Sequence, residues 1–159
     1  MGAELVPSQL LVLLVEAHGK VGQIDEGLTV LAEALALVNR TGERSSEAEL
    51  YRLKGELTLQ KEFNVKGSTF QVPAPRPLTI DPQGEAETFF LKAIDIAQKQ
   101  QAKSWELRAA MSLARLWRQQ DKQQEAHQML SEIYSWFTEG FDTKDLQEAK
   151  ALLAALDRQ

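Results

Sequence analysis

The fold is decided by the stretch Ser104–Phe137, SWELRAAMSLARLWRQQDKQQEAHQMLSEIYSWF. Its apolar residues follow helical spacing twice, on either side of the short polar turn 119–122. These apolar residues form two lines: Ala109, Leu113, Leu116 and Trp117, then Ala126, Met129, Leu130, Ile133 and Phe137. We expect Ser104 to cap the first helix and Gly140 to end the second. The stretch therefore predicts two amphipathic helices packed as a hairpin.

Weaker versions of this unit occur upstream, and a final helix follows it. One stripe of helical spacing consists of Ile24, Leu28, Leu31, Leu35 and Val38. Gly42 is placed to end that helix, and Ser46–Glu49 has the pattern of a capping box. Asp81-Pro82 and Asp142-Thr143 predict two further helix starts. Sustained period-2 alternation is absent from the sequence, so we expect no sheet.

The second helices of the predicted pairs align with one another. Ala86 and Ala126 lie 40 residues apart, whereas Gly27 and Ala86 lie 59 apart. The excess is close to the length of the proline-rich segment 63–81, which interrupts the second pair. Small residues at these positions let two helix backbones approach, and pairs that cannot bury a face alone must stack. The alignment predicts an internal repeat of helix pairs.

On these residues the chain resembles the tetratricopeptide repeat (TPR) family, with a period of about 40 residues where about 34 is usual. The resemblance implies an all-α fold, an alpha-alpha superhelix (TPR-like solenoid) of three helix pairs plus a C-terminal capping helix. The single domain 1–159 would then divide into repeat 1 at about 8–42, repeat 2 at about 45–101, repeat 3 at about 104–138 and a capping helix at about 142–157. Gly27 and Ile133 replace alanines of the family pattern, so we expect looser packing there.

A second resemblance covers 48–60 (AELYRLKGELTLQ) and 102–156, with the ending FTEGFDTKDLQEAKALL as its most specific part. These strings look like the C-terminal repeat region of large bacterial signalling proteins that carry adenylate or guanylate cyclase-like modules or STAND-type ATPases. The resemblance implies a cytoplasmic sensor or scaffold whose catalytic parts lie outside this chain. The sequence contains no P-loop pattern, so we expect no enzyme activity and no cofactor here. We also expect Met1-Gly2-Ala3 to be an artificial start on a fragment.

Composition excludes several classes of function. The net charge of −5 argues against nucleic acid as a partner, because a basic stripe is expected of proteins that bind it. The absence of cysteine removes disulfides and thiol chemistry. The longest apolar run, Leu10–Val15, is too short to span a membrane. We therefore expect a protein or peptide partner, another domain of the same polypeptide, or a second copy of the chain.

The first helices of TPR-like pairs line a concave groove. The groove-facing residues would be Lys20, Arg52, Glu56, Gln60, Arg108, Met111, Ser112, Arg115 and Gln119, with Glu16 beside them. Arginines in a groove suit carboxylate or phosphate groups of a ligand. The alternative is a solvated helix face with neighbours such as Arg52 and Glu56 four residues apart. The Lys/Asn clamp that some members use for peptide C-termini is not matched, because Val12 and Glu16 occupy those positions.

The histidines and tryptophans are the other candidates. We expect His18 to be a packed core residue and His127 to lie on the solvated surface, and the sequence presents no metal-ligand pattern. The tryptophans favour core packing, with Trp105 or Trp136 as the alternative of an exposed binding anchor.

The segment 63–82, FNVKGSTFQVPAPRPLTIDP, is predicted to be extended because prolines punctuate it. It is either a tolerated insertion or a docking segment. In the second case it would support self-association as a homodimer.

Overall fold

The computed structural model describes residues 8–66 and 81–157, and these residues form seven α-helices and no strand. The predicted all-α class is confirmed. The helices are α1 (Ser8–Lys20), α2 (Ile24–Thr41), α3 (Glu47–Lys66), α4 (Pro82–Lys99), α5 (Lys103–Gln119), α6 (Gln123–Tyr134) and α7 (Lys144–Asp157). Among the helices described, none combines the length and apolar character that a membrane crossing needs. The chain forms two compact units, an N-terminal unit (1–89) and a C-terminal unit (90–159), whose boundary falls inside α4.

Two predicted helix ends have the expected cap geometry. Gly42 adopts φ 74°, and its amide donates to the carbonyl of Val38, which ends α2. At the start of α4, the Asp81 carboxylate accepts from the amides of Gln83 and Gly84, both at 3.2 Å. Both caps could be predicted from the sequence because a helix cap depends on a few consecutive residues.

Three predicted boundaries are wrong. Helix α5 begins at Lys103 without a side-chain cap, so Ser104 lies inside the first turn. Helix α6 ends at Tyr134, well before Gly140, so Phe137 lies beyond it. Helix α3 continues to Lys66, which makes residues 63–66 of the predicted insertion helical. Residues 67–80 of that insertion lie outside the described part of the chain.

The core of the N-terminal unit lies between α1, α2 and α3. It contains the buried residues Val12, Val15, Ile24, Leu31, Ala34, Val38, Leu50, Leu53 and Leu57. The predicted stripe of α2 therefore faces this core, with Leu28 and Leu35 partly buried at its edges. In the first half of α4, the Phe89 ring lies 6.4 Å from the Tyr51 ring and 4.6 Å from the Lys54 ammonium.

Gly27 marks a close approach between α1 and α2. A Cβ at this position would lie 3.2 Å from the His18 Cβ and 3.3 Å from the Leu57 Cδ1. Both atoms belong to packed helices and have little freedom to move. The expectation of looser packing at Gly27 is wrong: the missing methyl group lets the helices come closer than alanine would.

In the C-terminal unit, α5 packs on α6, and α7 packs on both. The face that α7 buries consists of Leu146, Ala149, Leu152 and Leu156. Helix α5 is buried along most of its length, with Leu107, Leu113 and Leu116 almost fully enclosed. A buried α5 covered by two amphipathic neighbours explains why the sequence 104–117 carries so few exposed polar positions.

The turns that precede α2, α5 and α6 share one geometry. In each turn, the residue two positions before the next helix has a positive φ: Gly22 (80°), Gln101 (55°) and Asp121 (61°). The next amide donates to the carbonyl five residues earlier: Gln23 to His18 (2.9 Å), Ala102 to Ala97 (2.9 Å) and Lys122 to Trp117 (2.8 Å). This six-residue bond closes a helix end in the manner of a Schellman motif. The α1–α2 and α5–α6 pairs are thus joined by equivalent turns.

Candidate binding cleft between α1 and α3

A cleft between α1 and α3 brings together the predicted groove residues of the N-terminal unit. Its volume is about 210 Å³. The cleft is lined by Val15, Glu16, Gly19, Lys20, Arg52, Leu53, Glu56, Leu57 and Gln60. Small-molecule and cofactor sites usually enclose roughly 300–1,000 Å³. The cleft is therefore sized for a side chain of a bound protein segment.

Arg52 forms the charged part of the cleft and is held by Glu49. Its Nε donates to Glu49 Oε2 at 2.8 Å, and one terminal nitrogen donates to Glu49 Oε1 at 2.6 Å. The Glu49 side chain has 0% exposure and the Arg52 side chain 10%. Two parallel bonds of this kind fix the guanidinium plane and leave the carboxylate fully engaged. Arg52 is thus part of a buried ion pair, and the prediction that it is an open anion-binding group is wrong.

The electrostatic surroundings of Arg52 keep it charged. Burial by itself lowers the pKa of the guanidinium, because it removes water from the charged form. The hydrogen bond and negative charge of Glu49, together with the charges of Glu56 and Glu16, raise the pKa by more, so that it lies above its ordinary value. Three carboxylates from two helices therefore act on one arginine.

The rim of the cleft carries weaker pairs. The Lys20 ammonium lies 3.6 Å from Glu16, and its side chain is 74% exposed. A terminal nitrogen of Arg52 lies 3.6 Å from the half-exposed Glu56. Such pairs contribute little individually, since water and salt screen them. They leave both rim carboxylates accessible to a competing cation.

Gln60 fixes the end of the cleft where α1 stops. Its side-chain amide donates to the carbonyl of Gly19 at 2.8 Å. A Cβ on Gly19 would lie 3.2 Å from Leu57, so the two helices approach closely there. Gln60 therefore joins α3 to one of the last carbonyls of α1, which the helix itself cannot satisfy.

The predicted groove residues of α5 have a different environment. Arg108 lies 3.8 Å from Asp145, and Arg115 lies 3.7 Å from Glu148, so both face carboxylates of α7. Met111 and Ser112, between these arginines on the helix, are buried. The prediction of an open groove at Met111 and Ser112 is wrong, because this face of α5 lies in the interior of the unit. Gln119, at the end of α5, is exposed.

Sequence reasoning missed Glu49, which was interpreted as part of a capping box. A signal was present, since Glu49 precedes Arg52 by three residues and such neighbours meet on a helix surface. The burial of the pair depends on how α3 packs against the rest of the unit. The apolar walls Val15, Leu53 and Leu57 also belong to the core of the N-terminal unit, so tertiary packing makes them walls of the cleft.

The two histidines each have a polar partner. His18 is half-buried, and its Nδ1 lies 2.8 Å from Gln23 Oε1 beside the α1–α2 turn. His127 was expected on the solvated surface; its side chain is partly exposed, and its Nε2 lies 3.0 Å from Asp157 of α7. With Gln123, Gln124 and Leu156, this pair lines a second depression, of about 270 Å³. The contact joins α6 to a residue of α7 that is thirty positions further along the chain, and helical periodicity cannot predict such a contact.

Of the two candidate aromatic anchors, Trp136 is exposed and Trp105 is half-buried. The Trp136 ring meets Phe137 edge-on at 5.2 Å, and the Lys103 ammonium lies 5.3 Å from its centroid. The Trp105 ring lies 5.7 Å from the Arg108 guanidinium. Trp136 thus retains the exposure that an anchor requires, whereas Trp105 is engaged on α5.

In residues 8–66 and 81–157, no three His, Cys, Asp or Glu side chains come together as a metal site requires. Comparisons of the chain with protein-family models, with curated proteins and with solved structures find no match. The function is therefore inferred from the geometry of the α1–α3 cleft.

Proposed function

We propose that the chain is an interaction module that binds a segment of a partner protein in the α1–α3 cleft. The observation that carries the proposal is the convergence of Lys20, Arg52, Glu56 and Gln60 on one cleft. The resemblance to TPR-like repeats had predicted that these four residues line a common groove. The cleft has apolar walls, charged rims and the volume of a side chain, a combination that suits a protein segment.

The proposal is tested by selecting peptides with the full chain from a displayed library of random dodecapeptides. Selected peptides are titrated into isotope-labelled protein, and amide shifts in two-dimensional NMR spectra locate the binding site. We expect the largest shifts at α1 and α3 residues that line the cleft. Shifts confined to other surfaces would contradict the proposal.

A blocked cleft provides the matched comparison. Glu56→Trp places a large ring at the rim, whereas Glu33→Trp makes the same change at an exposed position of α2. We expect Glu56→Trp to weaken peptide binding by about tenfold or more, and Glu33→Trp to leave it unchanged. Equal affinities for the two variants would refute the assignment of the cleft. Circular dichroism verifies that both variants are folded.

We propose that the parent protein is a larger bacterial signalling ATPase or cyclase in which this module senses an effector or partner. The support is the likeness of the 48–60 and 102–156 strings to such repeat regions. In this arrangement the partner segment belongs to another protein or to another domain of the same polypeptide. Sequencing the full gene tests the proposal, and a reading frame without an ATPase or cyclase module would reject it.

Self-association is a second candidate function, favoured by the outer face of α1. Leu10, Leu13 and Leu14 are exposed there at helical spacing, and exposed apolar patches mark interaction surfaces. Light scattering over a range of concentrations tests this: the mass should rise with concentration and return to the monomer value in Leu13→Glu. A monomer mass at all concentrations would eliminate this candidate. The earlier expectation of dimerisation through the insertion 63–82 concerns residues that lie largely outside the described ranges.

A further inference from the structure

We infer that the α1–α3 cleft selects a partner segment that inserts a lysine or arginine side chain flanked by apolar residues. This inference rests on the proposed function and specifies the chemistry of the ligand. It reverses the sequence-based expectation that the arginines of the groove attract carboxylate or phosphate groups.

The charges around the cleft favour a cation. The carboxylates of Glu16, Glu49 and Glu56 all act on Arg52, whereas Lys20 is the second cation of the lining. The five groups together carry a formal charge of −1, with three carboxylates and two cations. An anion that took the place of Glu49 on Arg52 would have to break a buried bidentate pair, which would leave the Glu49 carboxylate buried without the guanidinium.

A cation meets no such obstacle. The carboxylates of Glu16 and Glu56 lie at the rim, where their side chains are 29% and 40% exposed, and their ion pairs with Lys20 and Arg52 are long, at 3.6 Å each. The side chain of Lys20 is 74% exposed, and its ammonium already pairs with Glu16 as the ammonium of a ligand would. A lysine or arginine of the partner would replace Lys20 there or lie beside Glu56. Its aliphatic stem would contact the apolar walls Leu53 and Leu57.

The test uses three peptide libraries that are identical except for a fixed central residue: arginine, glutamine or glutamate. Each library is titrated into the full chain, and affinity is measured from the amide shifts of cleft residues. We expect the order arginine, then glutamine, then glutamate. Each half-exposed carboxylate should contribute roughly two- to fivefold, so Glu16→Gln with Glu56→Gln should abolish the preference for arginine. Glu33→Gln removes the same charge from an exposed site on α2 and should change nothing.

Lys20→Gln gives the sharpest discrimination, because the expected sign depends on the charge of the ligand. With a cationic ligand the substitution removes a competitor for Glu16 and should tighten binding of the arginine library roughly two- to fivefold. Weaker binding of that library to Lys20→Gln would overturn the inference, as would equal or tighter binding of the glutamate library to the unmodified chain.

The results separate the inference from the proposed function. If the glutamine library shifts cleft amides as strongly as the arginine library, the cleft binds segments but the charge inference is wrong. If none of the three libraries shifts cleft amides, the proposed function itself is wrong. If the arginine preference survives Glu16→Gln with Glu56→Gln, the preference arises elsewhere and the inference is overturned.

Discussion

Replacing Arg52 by methionine should destabilise the N-terminal unit far more than removal of an exposed cation from the same helix. Methionine retains an apolar stem of similar length, so the substitution removes mainly the charge and its hydrogen bonds. The Glu49 carboxylate, with a side chain that is 0% exposed, would then lose both bonds from the guanidinium.

The expected magnitude follows from the burial of the pair. Removal of one partner from a buried ion pair costs about 3–5 kcal/mol, because a charge stays buried without compensation. A domain has about 5–15 kcal/mol of total stability, so this loss is a large share of it. Replacing both Arg52 and Glu49 by methionine should recover most of the loss, because a well-packed apolar pair avoids the desolvation of two charges.

Urea denaturation followed by far-ultraviolet circular dichroism measures the loss, and hydrogen exchange of α3 amides locates it. Tryptophan fluorescence reports the C-terminal unit, since Trp105, Trp117 and Trp136 all lie there. The matched control is Lys61→Met, also on α3. Lys61 pairs with Asp25 at 3.2 Å, but the two side chains are 56% and 81% exposed, so its loss should cost less than about 1 kcal/mol.

A loss below about 1 kcal/mol for Arg52→Met, equal to that of Lys61→Met, would refute the assignment of a buried and structurally essential pair. A double methionine variant as unstable as the single one would refute the desolvation argument and would point to lost packing instead. In either case Arg52 would return to consideration as a group available to a ligand.

Three further predictions concern the frame that holds the cleft. Gly27→Ala should lower the free energy of unfolding by about 1 kcal/mol or more, because crowding against His18 and Leu57 outweighs the gain in helix propensity; a more stable variant in urea denaturation would contradict this. Asp81→Ala should cost about 1 kcal/mol and speed hydrogen exchange of the first-turn amides of α4, and unchanged exchange would reject the cap. The raised pKa of Arg52 means that its contribution is fully present below its ordinary pKa and is lost only as the pH rises through the raised value. The difference in stability between the unmodified chain and Arg52→Met should therefore stay constant from roughly pH 7 to pH 10, and a steady decline over that interval would contradict the assignment.

The fold could be predicted from sequence wherever the signal is local. The α2 stripe, the glycine end at Gly42 and the cap at Asp81 each depend on residues within one or two helical turns. The helix boundaries were predicted wrongly where the chain started or ended the helix at a residue other than the best cap residue. Serine at 104 is a good cap residue, but the turn bond from Ala102 to Ala97 starts α5 earlier. Gly140 is a good helix end, but the chain leaves the helix at Tyr134.

The cleft could be predicted only in part, because its properties depend on tertiary packing. The TPR resemblance predicted a common groove for Lys20, Arg52, Glu56 and Gln60, and the structure brings these four residues together in one cleft. Spacing could not show that Glu49 is buried with Arg52. From the repeat alignment, Gly27 was expected to loosen the packing because it replaces an alanine. In the structure, the missing Cβ allows α1 and α2 to approach closely. An alignment within one sequence contains no information on that distance.

The arginines that were predicted to line the groove follow the same physical rule in both units. Arg52 is complemented by Glu49 on its own helix, and Arg108 and Arg115 face Asp145 and Glu148 of α7. An arginine beside a packed helix interface loses water, and a carboxylate of the chain compensates for that loss. An acidic ligand must therefore compete with carboxylates that are already in place. A basic ligand would instead pair with carboxylates of the chain, and Glu16 and Glu56 at the rim of the α1–α3 cleft are accessible for that contact.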